Sequence, residues 1–210
     1  MKRNSDDILN VLEIMFPNAE CELNHGSTFQ LLIAVILSAQ TTDVSVNKVT
    51  PKLFSYYPDA FALANADLND VENCIRNLGL YRNKAKNIIE CAKQLVNEYD
   101  GVVPSTMKQL TSLAGVGRKT ANVVLSVAFN VPAIAVDTHV DRISKRLGLS
   151  KPDDNVINVE TKLKRKIKRD RWNRAHHLFI FFGRYFCTAK SPKCKECPFI
   201  EICKEKNKNI

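Results

Sequence analysis

Residues 83–99, NKAKNIIECAKQLVNEY, carry Ala85, Ile88, Ile89, Ala92, Leu95, Val96 and Tyr99 at spacings of three, four and seven. On a helix these positions make one apolar stripe, which has to be buried against other elements. No persuasive stretch alternates with a period of two, and glycine and proline are sparse, 7 and 8 of 210 residues. The pattern predicts an all-α protein with short connections. Val71, Ile75 and Leu78 predict a shorter helix ahead of the stripe, stopped by Gly79 just past its end. The apolar run Leu31–Leu37 follows Ser27 and Gln30, a capping-box pair, and predicts a helix buried nearly all round. That run is the longest of its kind and falls far short of the ~20 residues needed to span a bilayer.

A formal net charge of +9 favours a polyanionic partner. Seven cysteines with no secretory signal ahead of them point to reduced thiols or metal ligands rather than a disulfide framework. The expected setting is cytoplasmic, nucleoid-associated in a prokaryote, for a monomer with no membrane partner. A domain boundary is expected near residues 130–132, where a predicted helix ends and the composition turns more basic. The run KLKRKIKRDRWNR, residues 162–174, reads first as a solvated helix face and second as a phosphate-contacting one.

Residues 113–124 read LAGVGRKTANVV. Leu110–Leu113 predict the last turn of one helix and Arg118–Phe129 the whole of the next. Gly115 and Gly117 permit positive φ and a turn of very few residues between them. They also leave the first amides of the second helix open, at the positive end of its dipole, where a phosphate binds well. A tight hairpin with no ligand is the plainer alternative. Lys119 opposes the macrodipole and stands next to Arg118; an amine so placed suits either phosphate binding or nucleophilic Schiff-base chemistry. Asp137 lies within reach of Lys119 if the chain turns at 130–132 and returns extended through Ala133–Val136. It also stands at the start of a predicted helix, beside Thr138 and Asp141, a capping-box-like pair.

Cys187, Cys194, Cys197 and Cys203 are separated by six, two and five residues. One close pair with wider arms fits four thiolates around an iron–sulfur cluster better than the two close pairs of structural zinc, which stays open on spacing alone. Cys21, Cys74 and Cys91 read as buried thiols, and His176 and His177 as structural.

The hairpin resembles that of the helix-hairpin-helix DNA glycosylase superfamily. SAQTTD at 38–43, LGLYRNKA at 78–85, AVDTH at 135–139 and the terminal cysteines fall in the order of its iron–sulfur glycosylase/lyase branch, over roughly residues 20 to 205. The resemblance implies two helical domains with a DNA groove between them. Residues 22–132 would form a six-helix barrel with the hairpin, and residues 1–21 with 133–210 the cluster domain. It implies a base excision repair enzyme that removes oxidised pyrimidines from double-stranded DNA and cuts at the abasic site. Lys119 is implied as the catalytic amine and Asp137 as its electrostatic and acid–base partner. Gly115, Val116, Gly117 and Arg118 are implied as phosphate contacts, and Gln40 and Leu80 as the side chains that fill the gap left by an extruded base. The cofactor implied is a [4Fe–4S] cluster on the four terminal cysteines, shaping a basic loop that carries Lys190 and Lys193. An adenine-mismatch glycosylase usually lacks the lysine and carries a further domain. A non-catalytic DNA-binding module leaves Lys119 and Asp137 without a joint purpose, and a ferredoxin-like carrier leaves the hairpin unexplained.

Overall fold

A computed structural model describes residues 4–210, and no strand occurs among the described residues. The α-helices are α1 (Ser5–Met15), α2 (Thr28–Leu37), α3 (Asp43–Tyr56), α4 (Ala60–Ala64), α5 (Leu68–Ile75), α6 (Tyr81–Tyr99), α7 (Met107–Ser112), α8 (Arg118–Phe129), α9 (Thr138–Arg146), α10 (Val156–Lys166) and α11 (Trp172–Phe181). The chain divides into two compact units, one of Glu22–Phe129 and one of Met1–Cys21 with Asn130–Ile210.

In the Glu22–Phe129 unit, α2 is the central element. Phe29 and every residue from Leu31 to Leu37 are buried, and α2 packs on α3, α6 and α8. Ser27 Oγ accepts the Gln30 amide at 3.2 Å. The Gln30 side chain takes the Gly26 amide rather than that of Ser27, so the expected box closes one residue early. The apolar stripe of α6 buries Ala85, Ile88, Ile89, Ala92 and Leu95, with Lys84 and Cys91 on the same side; Val96 and Tyr99 are half-buried. Burial pushes the Cys91 thiol up to about 12, which makes it an inert core group. The expected stop at Gly79 is corrected: α5 ends at Ile75, and the left-handed residue is Leu80, φ 59°, immediately before α6.

The second unit has its own core. Ile8, Leu9 and Leu12 of α1 meet Val140 and Ile143 of α9, Val159 and Leu163 of α10, and Leu178 and Phe179 of α11. A π-helical turn, Phe182–Phe186, continues α11, and Phe16 stands edge-on to Phe181 and Phe182. Arg174 ties down the chain after α1, donating to the carbonyls of Phe16, Pro17 and Ala19 at 3.1, 2.7 and 2.6 Å.

Most of the basic run is engaged inside this unit. Lys162 pairs with Asp154 and Lys164 with Glu160, both at 2.6 Å. Lys166 donates to the Leu149 carbonyl at 2.7 Å, and Arg171 pairs with Asp6 and Glu13 at 3.1 Å. The run is a set of internal tethers more than a face open to a polyanion. His176 is buried; burial and Arg174 push His177 down to about 4, so it is neutral at pH 7.

Replacing Leu32, which has no exposed surface, by alanine is expected to cost about 3 kcal/mol, seen as a lowered thermal or urea midpoint. His177 remains unprotonated in the fold while the unfolded chain takes up a proton below its ordinary value of 6.5. Stability should therefore fall as pH drops from 6.5 towards 4, and His177→Asn should flatten that dependence.

Candidate active site

The hairpin is built from α7 and α8. Thr106 Oγ1 caps α7 by accepting the Gln109 amide at 3.3 Å. After Leu113, the Ala114 amide donates to Gln94 Oε1 at 2.7 Å and pins the turn to α6. Gly115 follows with φ +74°, and a Cβ there would lie 3.0 Å from Asn87 Cβ and 3.1 Å from Ile36 Cγ2. The backbone angle favours glycine, and a Cβ would crowd both neighbours. Gly117 differs from expectation: it has no positive φ, and a Cβ there would meet nothing within 4 Å. One left-handed residue suffices for the turn, so nothing inside the protein requires the second glycine. Val116 between them is buried, while Arg118 and Lys119 are exposed. The inner face of α8, Ala121, Asn122, Val124, Leu125 and Ser126, is buried. The first turn of α8 thus offers two cations, a bare backbone at Gly117, and amides that a helix start leaves without intrahelical partners.

Asp137 directly precedes α9 and is its cap. Its Oδ1 accepts the amides of His139 and Val140 at 2.9 and 2.8 Å. The pair expected from Thr138 and Asp141 does not form, because Thr138 is already the first helical residue; Asp141 pairs with Lys145 instead, at 2.9 Å. Both amide bonds fall on one oxygen, which fixes the half-buried carboxylate and leaves Oδ2 as an acceptor. Lys119 belongs to the Glu22–Phe129 unit and Asp137 to the other.

Gln40 and Leu80 share an uncommon backbone. Four non-glycine residues among those described have positive φ. Asp100 and Asn130 follow the ends of α6 and α8, the usual place for such a residue. Gln40 (φ 54°) and Leu80 (φ 59°) do not end helices in that way, and each carries about 1–2 kcal/mol of backbone strain. Both are exposed, Leu80 by 59%, which is unusual for a leucine held in a costly conformation. Nothing in the sequence around Gln40 and Leu80 marks this backbone, since neither is glycine. The sequence also gave no prominence to Lys84, buried at 4% exposure, although its spacing from Ile88 and Cys91 puts it on the apolar side of α6.

The four terminal cysteines come together around the end of α11. Cys187 closes the π-helical turn, its amide bonded to the Phe182 carbonyl at 2.7 Å, and Cys203 bonds the Phe199 carbonyl at 3.0 Å. Phe199 is buried edge-on against Phe182, ring centres 5.4 Å apart. Cys197 feels the charges of Cys187, Cys203 and Cys194. Burial pushes the Cys187 and Cys197 thiols up, while Arg146 draws Cys187 back. Arg146 Nη1 donates to Cys187 Sγ at 3.2 Å and to the Thr188 carbonyl at 3.0 Å. Among the described residues no three His, Cys, Asp or Glu side chains converge on a point that one metal ion could occupy. The other three terminal cysteines all lie near enough to Cys197 to act on its thiol. Lys190 and Lys193 are exposed on the adjoining loop, with Lys193 Nζ 5.9 Å from the centre of the Phe186 ring.

A family model described as HhH-GPD superfamily base excision DNA repair protein matches residues 33–169. The chain is 53% identical over 194 residues to endonuclease III of Bacillus subtilis (strain 168), covering 92% of this chain and 89% of that protein. It is 44% identical over 202 residues to endonuclease III of Escherichia coli (strain K12), covering 96% and 95%. Among solved structures, a non-covalent endonuclease III–DNA complex matches with a TM-score of 0.92 at 52% identity, over 94% of this chain and 92% of that one. A trapped endonuclease III–DNA covalent intermediate matches at 0.91 and 52%, over 93% and 92%. A thermostable thymine-DNA glycosylase shares the fold, at 0.82 and 22% identity.

The two glycines should separate in mutagenesis. Gly115→Ala is expected to lower the melting midpoint, costing about 1–3 kcal/mol, whereas Gly117→Ala should melt within about 0.5 kcal/mol of the parent. Asp137→Ala should cost about 1 kcal/mol through the lost α9 cap, and Asp137→Asn, which keeps an acceptor oxygen, much less. Thermal denaturation of the four variants checks both contrasts.

Proposed function

The chain belongs to the endonuclease III family, within the HhH-GPD superfamily of base excision DNA repair proteins, and from that premise we propose how its own residues perform the chemistry. It is a bifunctional DNA N-glycosylase and abasic-site lyase acting on duplex DNA that carries oxidised pyrimidines. The observation that carries the assignment to residues is the exposed Lys119 in the first turn of α8, directly after the open backbone of Gly117.

Binding begins at the hairpin. Gly115, Val116, Gly117 and Arg118 receive a backbone phosphate at the positive end of the α8 dipole, and the bare Gly117 lets that phosphate approach the amides. Lys190 and Lys193 contact further phosphates, so affinity falls steeply with salt. The damaged nucleotide leaves the stack, and Gln40 and Leu80 occupy the space it vacates. Their exposed side chains on strained backbone support that role, since strain of this kind persists where function needs it.

Lys119 Nζ attacks C1′, and the bond from C1′ to the base breaks with its electron pair going to the base, which is protonated as it leaves. The charge developing on the sugar is stabilised by Asp137, whose carboxylate is held by two α9 amides and retains Oδ2 for proton transfer. The sugar ring opens to a protonated Schiff base on Lys119. Loss of a proton from C2′ then expels the 3′ phosphate by β-elimination, and water releases the unsaturated aldehyde and the free lysine.

Cys187, Cys194, Cys197 and Cys203 would hold a [4Fe–4S] cluster; their separations of six, two and five residues and the nearness of the other three to Cys197 support that assignment. When bound, it supplies four iron–thiolate bonds that clamp the segment bearing Lys190 and Lys193. Protein purified without chelator should contain about four iron and four sulfide per chain; zinc in their place would overturn the cluster assignment.

The reading is tested with a duplex bearing one thymine glycol, incubated with parent, Lys119→Ala and Lys119→Gln. The parent should release the base and cut the strand; both variants should lose at least about 1,000-fold in strand cleavage while still binding the duplex. Cleavage by Lys119→Ala at the parental rate would overturn the role given to Lys119.

A further inference from the structure

Lys84 is 4% exposed, and no carboxylate among the described residues pairs with it. Its ammonium donates to Thr41 Oγ1. Burial pushes its proton affinity down, with no charged neighbour offsetting that penalty. A buried cation satisfied by one neutral hydroxyl is a poor way to stabilise a fold, because an apolar side chain of similar length would cost less. Its place is better explained by what it joins.

Lys84 sits in the first turn of α6, and its backbone amide donates to the Leu80 carbonyl at 3.0 Å. Its side chain reaches the residue that follows Gln40. The turn holding Gln40 is otherwise secured by local bonds: Thr41 N–H to the Ser38 carbonyl at 3.1 Å and Ala39 N–H to the Ile36 carbonyl at 3.3 Å, Ser38 Oγ to the Val35 carbonyl at 2.9 Å, and a long bond from Thr41 Oγ1 to the Ala39 carbonyl at 3.4 Å. One residue therefore holds both exposed, left-handed positions of the Glu22–Phe129 unit that are not ordinary helix ends, Leu80 through its backbone and the Gln40 turn through its side chain. A single side chain from α6, whose position is set in turn by its buried stripe, bridges the two turns.

The geometry points to Lys84 as a positioning residue that locks the Gln40 turn to Leu80, so that the two side chains enter the gap in the DNA as one unit. The inference rests on the proposed gap-filling role of Gln40 and Leu80. Thr41 is the other half of the lock, and removing either partner releases the turn from α6; removing the Thr41 hydroxyl also takes away its bond to the Ala39 carbonyl.

The test uses full-length protein, with its cluster content checked, and two probes: a duplex containing a tetrahydrofuran abasic analogue with 2-aminopurine beside it, and the matching undamaged duplex. The variants are Lys84→Met, Thr41→Val, the double variant, Gln40→Ala and Leu80→Ala. Lys84→Met should melt at or above the parental temperature, since it removes a buried cation. It should lose about tenfold in preference for the abasic duplex, a size ordinary for groups in contact. The 2-aminopurine fluorescence change on binding should shrink, and affinity for undamaged duplex should stay at the parental value. Thr41→Val should lose at least as much, since it also gives up the bond to the Ala39 carbonyl, and the double variant should be no worse than Thr41→Val. If Lys84→Met does not fold, Thr41→Val alone gives the reading. Parental preference in Lys84→Met and Thr41→Val, or additive losses in the double variant, would overturn the lock. Parental behaviour of Gln40→Ala and Leu80→Ala would instead overturn the gap-filling role, and the lock with it.

Discussion

The hairpin turn is pressed so closely against its neighbours that a methyl group at Gly115 would have to push them aside by a few tenths of an ångström. Ile36 at the end of α2 and Asn87 on α6 stand within about 3 Å of where a Cβ would be, and Gln94 of α6 holds the adjacent amide. That contact fixes where α8 begins. With the turn set there, the apolar side of α8 falls on α2, and Arg118 and Lys119 are left outside at the positive end of a helix. A helix buried nearly all round and two exposed cations are therefore linked through one residue without a side chain.

Each candidate residue is held by the element behind it. Lys119 stands on a helix with a buried inner face, and Asp137 on the cap of another, its carboxylate pinned by two amides. Gln40 and Leu80 sit instead on short turns, where the backbone pays for an unusual conformation. A turn of that kind needs support from outside its own few residues, and the buried ammonium of Lys84 is the group that reaches one of them. Likewise Arg146, joining Cys187 to the Thr188 carbonyl and to Glu205 at 3.0 Å, supports the cysteine segment from α9.

What the sequence disclosed follows from how each signal is encoded. The helices α2, α6 and α8 announce themselves because burial imposes a period on apolar residues. The four cysteines stand out by spacing, and Lys119 by its place after two glycines. Backbone angles at non-glycine residues carry no such mark, so Leu80 reads as a plain hydrophobe and the stop before α6 is assigned to Gly79. Gly117 was expected to share the turn with Gly115, yet only contacts reveal that its neighbourhood is open. The cap at Asp137 was misjudged by one residue because Thr138 and Asp141 offer an equally good pattern. Lys84 was hidden by its own charge: a lysine on an apolar stripe is normally discounted, although its register with Ile88 and Cys91 was the signal.

The central claim is that one amine, Lys119, forms the covalent link to the sugar. The most direct measurement is to trap the reaction on a thymine glycol duplex with borohydride, digest the protein, and locate the reduced adduct by mass spectrometry. A single adduct on the peptide containing residue 119 is expected. An adduct on any other lysine or on the terminal amine, or base release with no adduct at all, would contradict it.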